Sequence, residues 1–428
     1  MENEVKTPLP AENMPEPHTT TAANANPSDE SRTRGFKLDK RIVVVIGIVL
    51  ILGIILLAFS LFRDRNGDAK KLNSSGTLSF YSGDFKKAKE DLSKSLELNP
   101  KDPKTQARLI ESIASEGNLN GTEGNAFKEG KKYADDAIKE NPNDVDVLLA
   151  VGYLYETSAK YEEALQYYDK ALAVDSNNAK AYFHKGHVLE FLNRQSEARD
   201  NYNKAYVLYK NDANITMAQA KIKLSEGNAD QAIELFKQAS QDSYSPPTVR
   251  SEALTNAAII QRSQLTKLSD SVKLAKQAVD IAPTYSPALA EYGLNLFMNG
   301  DMTNSIAYME KAISANPRIA QNYWRLGAFY KVGKNYVAAA QKQEEALSKI
   351  DDDNTIVGAD NKKILRSMIT YDLASTYSKG GVNDRALSNL NTAVDLNPNL
   401  KKKLKEDYEK FGDFKALGTN ADFKLLIQ

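Results

Sequence analysis

The feature that most narrows the possible folds is a recurrence. Val145 to Ser176, VDVLLAVGYLYETSAKYEEALQYYDKALAVDS, is followed at once by Ala179 to Lys210 on the same scheme. Each stretch reads as two amphipathic helices, because apolar residues recur at three- and four-residue steps. A tight turn is expected near Ala159 and Lys160. Small residues stand where the two helices would touch: Gly152, Ala164 and Ala171, then Gly186, Ala198 and Ala205. The step from each of the first three to its counterpart is the same. A hairpin of this kind cannot bury its apolar face alone, so it must stack on a neighbour.

The second small residue of the second helix serves as a ruler. It falls at Ser95, Ala137, Ala171, Ala205, Ala239, Ala278, Ala312, Ala346 and Ala393, and five of the eight intervals equal the step from Ala171 to Ala205. The three longer intervals place insertions near Gly117 to Phe127, Ser243 to Pro247 and Asp351 to Asp360. Small residues also recur in the first helix, at Gly76, Gly152, Gly186, Ala220, Gly293, Gly327 and Ala374. Asn-Pro pairs at Asn99, Asn141, Asn316 and Asn397 stop one helix and start the next. A period of about 34 residues with this small-residue code resembles the tetratricopeptide repeat (TPR) family. The resemblance covers about Lys70 to Leu400 and implies an all-α, right-handed TPR superhelical solenoid of about nine helix-turn-helix repeats. Residues 401–428, with Phe414, Leu417, Phe423, Leu425 and Leu426, are expected to cap the last repeat.

Ahead of the array the chain changes character twice. Residues 1–41 begin with a polar stretch holding five of the 14 prolines, which reads as a disordered tail because it has too little apolar surface to offset chain entropy. Ile42 to Phe62 then runs without a charge. At 1.5 Å per residue such a helix is about 31 Å long, enough to span a hydrocarbon core. A single transmembrane helix at 42–62, a linker at 63–69 and the array at 70–400 follow as the expected organisation. A cleaved signal peptide fits less well, since the apolar run is long and a polar stretch precedes it. Five basic residues precede the run (Arg32, Arg34, Lys37, Lys40, Arg41) and four follow it (Arg63, Arg65, Lys70, Lys71), which favours a cytoplasmic N-terminus. The expected location is the cell membrane, single-pass, with the TPR domain extracytoplasmic. The reverse topology would resemble organelle import or docking receptors with cytosolic TPRs.

Chemistry finds little footing in the sequence. The 56 basic and 56 acidic residues balance, so bulk charge gives no argument for nucleic acid. No cysteine is present, which removes disulfides, thiolate catalysis and Cys-zinc sites. His184 and His187 lie three apart on one helix, but no third metal ligand is evident. No phosphate-binding, dinucleotide-binding or hydrolase motif occurs. The expectation is a protein that is not an enzyme, needs no cofactor or metal, and presents repeats to other proteins. A bacterial envelope-assembly or secretion adaptor is the preferred setting, with the docking receptor as alternative.

In TPR proteins the concave face is built mainly from first helices. The resemblance therefore implies groove positions three before, one after and four after the small residue of that helix, one helical stripe. Leu149, Tyr153, Phe183, His187, Met217, Lys221, Phe297, Trp324, Lys331 and Tyr371 fall on such stripes. They are the candidate binding residues for a peptide or helical segment of a partner. Packing against neighbouring repeats is the other reading of the same pattern. The family's best-known peptide clamp uses Lys and Asn at these places to grip a terminal carboxylate, and this sequence lacks that set.

Overall fold

A computed structural model describes residues 40–263 and 267–428, with the side chains of 40–47, 56–64 and 120 outside the description. The expected tail, residues 1–41, therefore lies almost wholly outside the described residues. By internal contacts the chain divides into residues 1–61 and 62–428. Helix α1 is assigned to Lys40–Tyr81. The apolar run expected to span a membrane is described in its side chains only over 48–55. There Ile48 to Leu52, Ile54 and Ile55 are all exposed, by 52–65%. Among the described residues no helix is long and apolar enough to cross a membrane.

Residues 62–428 form a TPR-like helical solenoid, and no strand occurs among the described residues. After α1 come α2 (Phe85–Leu98), α3 (Pro103–Asn120), α4 (Glu123–Glu140), α5 (Val145–Thr157), α6 (Tyr161–Val174), α7 (Ala179–Phe191), α8 (Gln195–Leu208), α9 (Ala213–Ser225) and α10 (Ala229–Ser240). The stack continues with α11 (Pro247–Ser263), α12 (Leu268–Ile281), α13 (Ser286–Met298), α14 (Met302–Ala315), α15 (Ala320–Val332), α16 (Tyr336–Lys349), α17 (Ala359–Lys379) and α18 (Asn383–Leu396). Many starts are capped by an Asp or Asn that accepts a backbone N–H of the first turn: Asp84, Asp102, Asp144, Asn178, Asp212, Asp301 and Asn335. Such caps satisfy donors that the helix itself leaves open.

The ruler residues mark the dry seam inside each hairpin. All nine, Ser95 to Ala393, are buried. The glycines of the first helices face the residue three before the ruler, and they are there for room. A Cβ on Gly152 would lie 2.5 Å from the Tyr168 ring, and one on Gly186 would lie 2.9 Å from the Tyr202 ring. Real Cβ atoms do not approach that closely, so anything larger than hydrogen would push the helices apart.

The turn inside the hairpin carries a second signature, twelve positions before the ruler. Gly83, Ala159, Asn193, Gly227, Gly300, Lys334 and Gly381 all have positive φ, between 55° and 86°. Glycine takes this conformation freely, whereas Ala159, Asn193 and Lys334 take it against the clash of their own Cβ.

The insertions resolve differently from one another. The Gly- and Asn-rich stretch 117–127 is expected as a loop, yet the structure spends nearly all of it on helix. Asn120 ends α3, Glu123 opens α4, and only Gly121 and Thr122 lie between. Gly121 makes this possible with φ of 66°, and Gly117 lets Ala126 approach to within 2.3 Å of where its own Cβ would be. The third insertion does contain a loop, after Ile350, ahead of a lengthened α17.

Beyond α18, a short helix α19 (Leu400–Glu406), a π turn and a 3-10 turn lead to α20 (Ala421–Ile427). Leu400, Leu404, Phe414, Leu417 and Phe423 are buried with Leu390 and Ala393 of α18. Leu425, expected to tuck in with them, is instead 66% exposed. It stands two positions after Phe423, which puts it on the other side of this short helix.

Two substitutions test the hairpin geometry by chemical denaturation. Gly152→Ala is expected to destabilise the array by about 1–3 kcal/mol, the usual penalty for overpacking a closed seam. Ala159→Gly is expected to stabilise it by about 0.5–1 kcal/mol, because relief of left-handed strain exceeds the added chain entropy.

Candidate functional site

The first helices of successive hairpins stand side by side, and the residues they turn inward line one cavity of about 960 Å³. Tyr153 of α5, Phe183 and His187 of α7, and Met217 and Lys221 of α9 all reach it. Five of the ten sequence-predicted residues are thus brought together. The remaining five stand elsewhere. Leu149 is buried in the packing between α5 and its neighbours. Phe297 stacks on Phe329, with ring centroids 4.3 Å apart. Tyr371 is buried, donates its hydroxyl to Asp407 at 2.7 Å and packs edge-on against Phe414. Trp324 and Lys331 converge on Asp372, which accepts the indole N–H at 2.9 Å, the Lys331 ammonium, and the amide of Gln343 at 2.7 Å.

At the floor of the cavity lies Glu156, four positions after Gly152 and therefore on the inner stripe, with a role that the offsets alone do not specify. The carboxylate is buried. It accepts the Tyr168 hydroxyl and is contacted by Nδ1 of His184 at 3.2 Å and Nδ1 of His187 at 2.7 Å. Burial pushes its pKa up, but the two imidazoles outweigh burial and hold it at about 2. His187 shows the converse balance. Burial pushes its pKa down, yet the bond to Glu156 and the charges of Glu156 and Glu190 raise it above the ordinary value. Burial pushes the Tyr153 hydroxyl up to about 12. The Tyr168 hydroxyl goes well above its usual range, through burial and then the Glu156 charge. Both phenols are therefore neutral at any physiological pH.

The arrangement has a local rule. Tyr168 lies over Gly152 and bonds Glu156, four positions after that glycine. One repeat later Tyr202 lies over Gly186 and bonds Glu190 at 2.7 Å. In the next hairpin the same positions hold Ala220, Phe236 and Leu224. Where the phenol becomes a phenyl, the carboxylate becomes a hydrocarbon, so both partners of the bond change together. A glycine, a glutamate one helical turn later and a tyrosine facing both from the second helix would have disclosed the trio from sequence.

Among the described residues, no group of three or more His, Asp or Glu is arranged to hold a metal ion. The His184 and His187 nitrogens face one carboxylate, not an open coordination position.

Comparison with known proteins bears on the repeats directly. A family profile described as TPR repeat matches residues 160–190, and one described as Tetratricopeptide repeat matches residues 72–102, 179–212 and 287–319. The chain carries tetratricopeptide repeats. No curated protein sequence matches it. Among solved structures, the human IFIT1 dimer with m7Gppp-AAAA is 14% identical, with a TM-score of 0.51 over 83% of this chain and 86% of that one. A monomeric IFIT1 mutant with m7Gppp-AAAA is 15% identical, with a TM-score of 0.53 and the same coverage. The Cut9 and Hcn1 complex of APC/C is 17% identical with a TM-score of 0.47, and there the chain spans about half, 53%, of the matched chain. At these identities the likeness to the two IFIT1 structures shows the fold alone.

The Glu156 cluster makes stability depend on pH with a defined sign. The raised His187 pKa contributes stability that is complete below its ordinary value of 6.5 and is lost as pH rises through the folded value. The depressed Glu156 pKa contributes stability that is complete above 4.5 and is lost as pH falls toward about 2. Thermal denaturation of the full chain should therefore show the pair's stabilisation at its greatest between these two ordinary values. His187→Gln should flatten the alkaline side of that profile. Glu156→Ala, which strands the Tyr168 hydroxyl and both imidazoles, is expected to cost about 3 kcal/mol.

Proposed function

We propose that this protein is a non-catalytic, membrane-anchored scaffold that holds a segment of another protein in the groove lined by α5, α7 and α9. The supporting observation is the cavity itself. Phe183 and Tyr153 offer half-buried aromatic surface, Lys221 stands exposed at the edge, and the floor is a satisfied polar cluster. Apolar anchors inside a polar rim are what peptide-binding surfaces use. TPR proteins typically bind protein or peptide partners, which agrees with the repeats found here.

Support for the anchor is the uncharged run from Ile42 to Phe62, together with exposed apolar side chains over 48–55 of α1. Apolar residues exposed without a break belong in hydrocarbon rather than water. The excess of positive charge before the run favours an N-terminus in the cytoplasm and repeats outside it. An envelope-assembly or secretion adaptor fits that topology. A docking receptor with cytosolic repeats is the alternative if the topology is reversed.

Two measurements test this reading. Protease added to intact cells should degrade the repeats and spare a short N-terminal fragment if the array is outside the cytoplasm; full protection would reverse the topology. Crosslinked partner capture by the membrane-embedded chain should fall at least about fivefold in Phe183→Ala and Lys221→Glu, which remove an anchor and reverse a rim charge. Equal capture by both variants would end the groove assignment. Trp324→Ala is expected to act on stability, through loss of its bond to Asp372 and of its packing, and to leave capture by the folded fraction intact.

A further inference from the structure

We propose that the joint between α5 and α7 is a proton-operated clasp at the floor of the cavity. With His187 cationic it holds the two first helices together across Glu156, and release of that proton lets them part. As a control over a bound partner this rests on the groove reading above; the movement itself does not.

Three joints of the array are closed by one rule. The residue four after the small residue of a first helix meets the residue two before the small residue of the next. At α5 and α7 these are Glu156 and His184, 3.2 Å apart, and His187 adds a second contact at 2.7 Å. At α11 and α13 they are Arg262, four after the buried Ala258, and Glu291, two before Gly293, at 2.7 Å. At α15 and α17 they are Lys331 and Asp372. Each couple joins an acid to a base across successive repeats. Arginine and lysine keep their charge throughout the physiological range, and histidine does not. Of the three, only the α5–α7 joint is therefore closed by a charge that a physiological change of pH removes.

Burial makes that charge matter. The Glu156 carboxylate is buried and ionised. Within its own hairpin it is met by the Tyr168 hydroxyl, which is neutral. The imidazoles that face it come from α7, across the joint. Once His187 loses its proton, N–H and O–H donors remain but the counter-charge is gone. A buried carboxylate without a counter-charge is costly. Water admitted between α5 and α7 relieves that cost, so this joint loosens while those at Arg262 and Lys331 stay shut.

The groups around the ring set the direction. Glu156 of α5 and Glu190 of α7 favour the His187 cation, and Lys221 of α9 opposes it. Tyr153 of α5, Tyr161 and Tyr168 of α6, and Tyr202 of α8 also face the cluster, with hydroxyls that burial keeps neutral. Glu111 of α3 acts on Tyr153 and is itself paired with Arg108. The clasp is therefore shut at the ordinary histidine value of 6.5 and opens as pH rises through the higher folded value.

The chain has no cysteine, so nitroxide labels can be placed in chosen pairs. Gln166→Cys and Asp200→Cys label equivalent exposed positions of α6 and α8 and span the α5–α7 joint. Lys273→Cys and Ala307→Cys label the same positions of α12 and α14 and span the α11–α13 joint as a control. Double electron–electron resonance on the full chain in detergent micelles compares about pH 6 with about pH 8.5, either side of the histidine titration. At the higher pH the first distance should lengthen or broaden by about 1–2 Å, the scale of a helix shift at an interface, and the control should not change. His187→Gln should give the open distribution at both pH values. His187→Lys, a cation at both, should give the closed one. Circular dichroism confirms that each variant is folded; should His187→Gln not fold, the unsubstituted ring and His187→Lys still decide. No change in the first pair, an equal change in the control pair, or a pH response that survives replacement of His187 would overturn the clasp. Each of those results leaves the groove to the crosslinking experiment, which is read at one pH and does not depend on the movement.

Discussion

Two helix axes lie close together only where the atoms between them are few. In this array that condition is met once per hairpin, where a Gly or Ala of the first helix faces small residues of the second. The contact at Gly152 shows how tight it is, since the Tyr168 ring occupies the space that any side chain would need. Everything else in the repeat depends on that distance. The tyrosine can cross the seam and reach Glu156 only because the seam is thin. The first helices can stand in a row and share one cavity only because each is held flat against its partner.

A thin seam would serve equally well if dry throughout, and over much of the array it is. Between α5 and α8 the chain instead bonds a tyrosine to a glutamate twice in succession, and the first of these carboxylates, Glu156, is buried. Such groups cost free energy to desolvate and are tolerated when their bonds are complete. Glu156 is over-supplied, with a hydroxyl and two imidazoles. A simple structural role would be filled with less desolvation by the Phe236 and Leu224 combination found one repeat further on. The extra polar groups coincide with the cavity, which is where a chemical use for them exists.

Much of the fold was legible because its rule is periodic. The ruler positions, the hairpin turns and the stop at each Asn-Pro pair follow from counting, and the nine ruler residues are buried as close packing demands. The long interval from Ser95 to Ala137 was harder, because Gly117 and Asn120 read as loop formers while tertiary packing extends the helices through them. The site was half legible. Offsets within a helix locate the inner stripe, and Tyr153, Phe183, His187, Met217 and Lys221 reach the cavity. The same offsets cannot tell an open position from one filled by a later repeat, so they also selected Trp324 and Lys331, which Asp372 of α17, the first helix of the next hairpin, engages. A partner in the adjacent repeat leaves no trace in a pattern read within one helix.

The succession of the three trios has one more implication. Along the inner wall, phenol and carboxylate appear at Tyr168 and Glu156, again at Tyr202 and Glu190, and then yield to Phe236 and Leu224. Three positions before the ruler, Leu92 and Ala134 precede these tyrosines and Phe236 and Ala275 follow them, so the two polar pairs form one band with hydrocarbon on either side. Repeats that share one backbone are therefore not interchangeable. The band marks a single place along an otherwise periodic array.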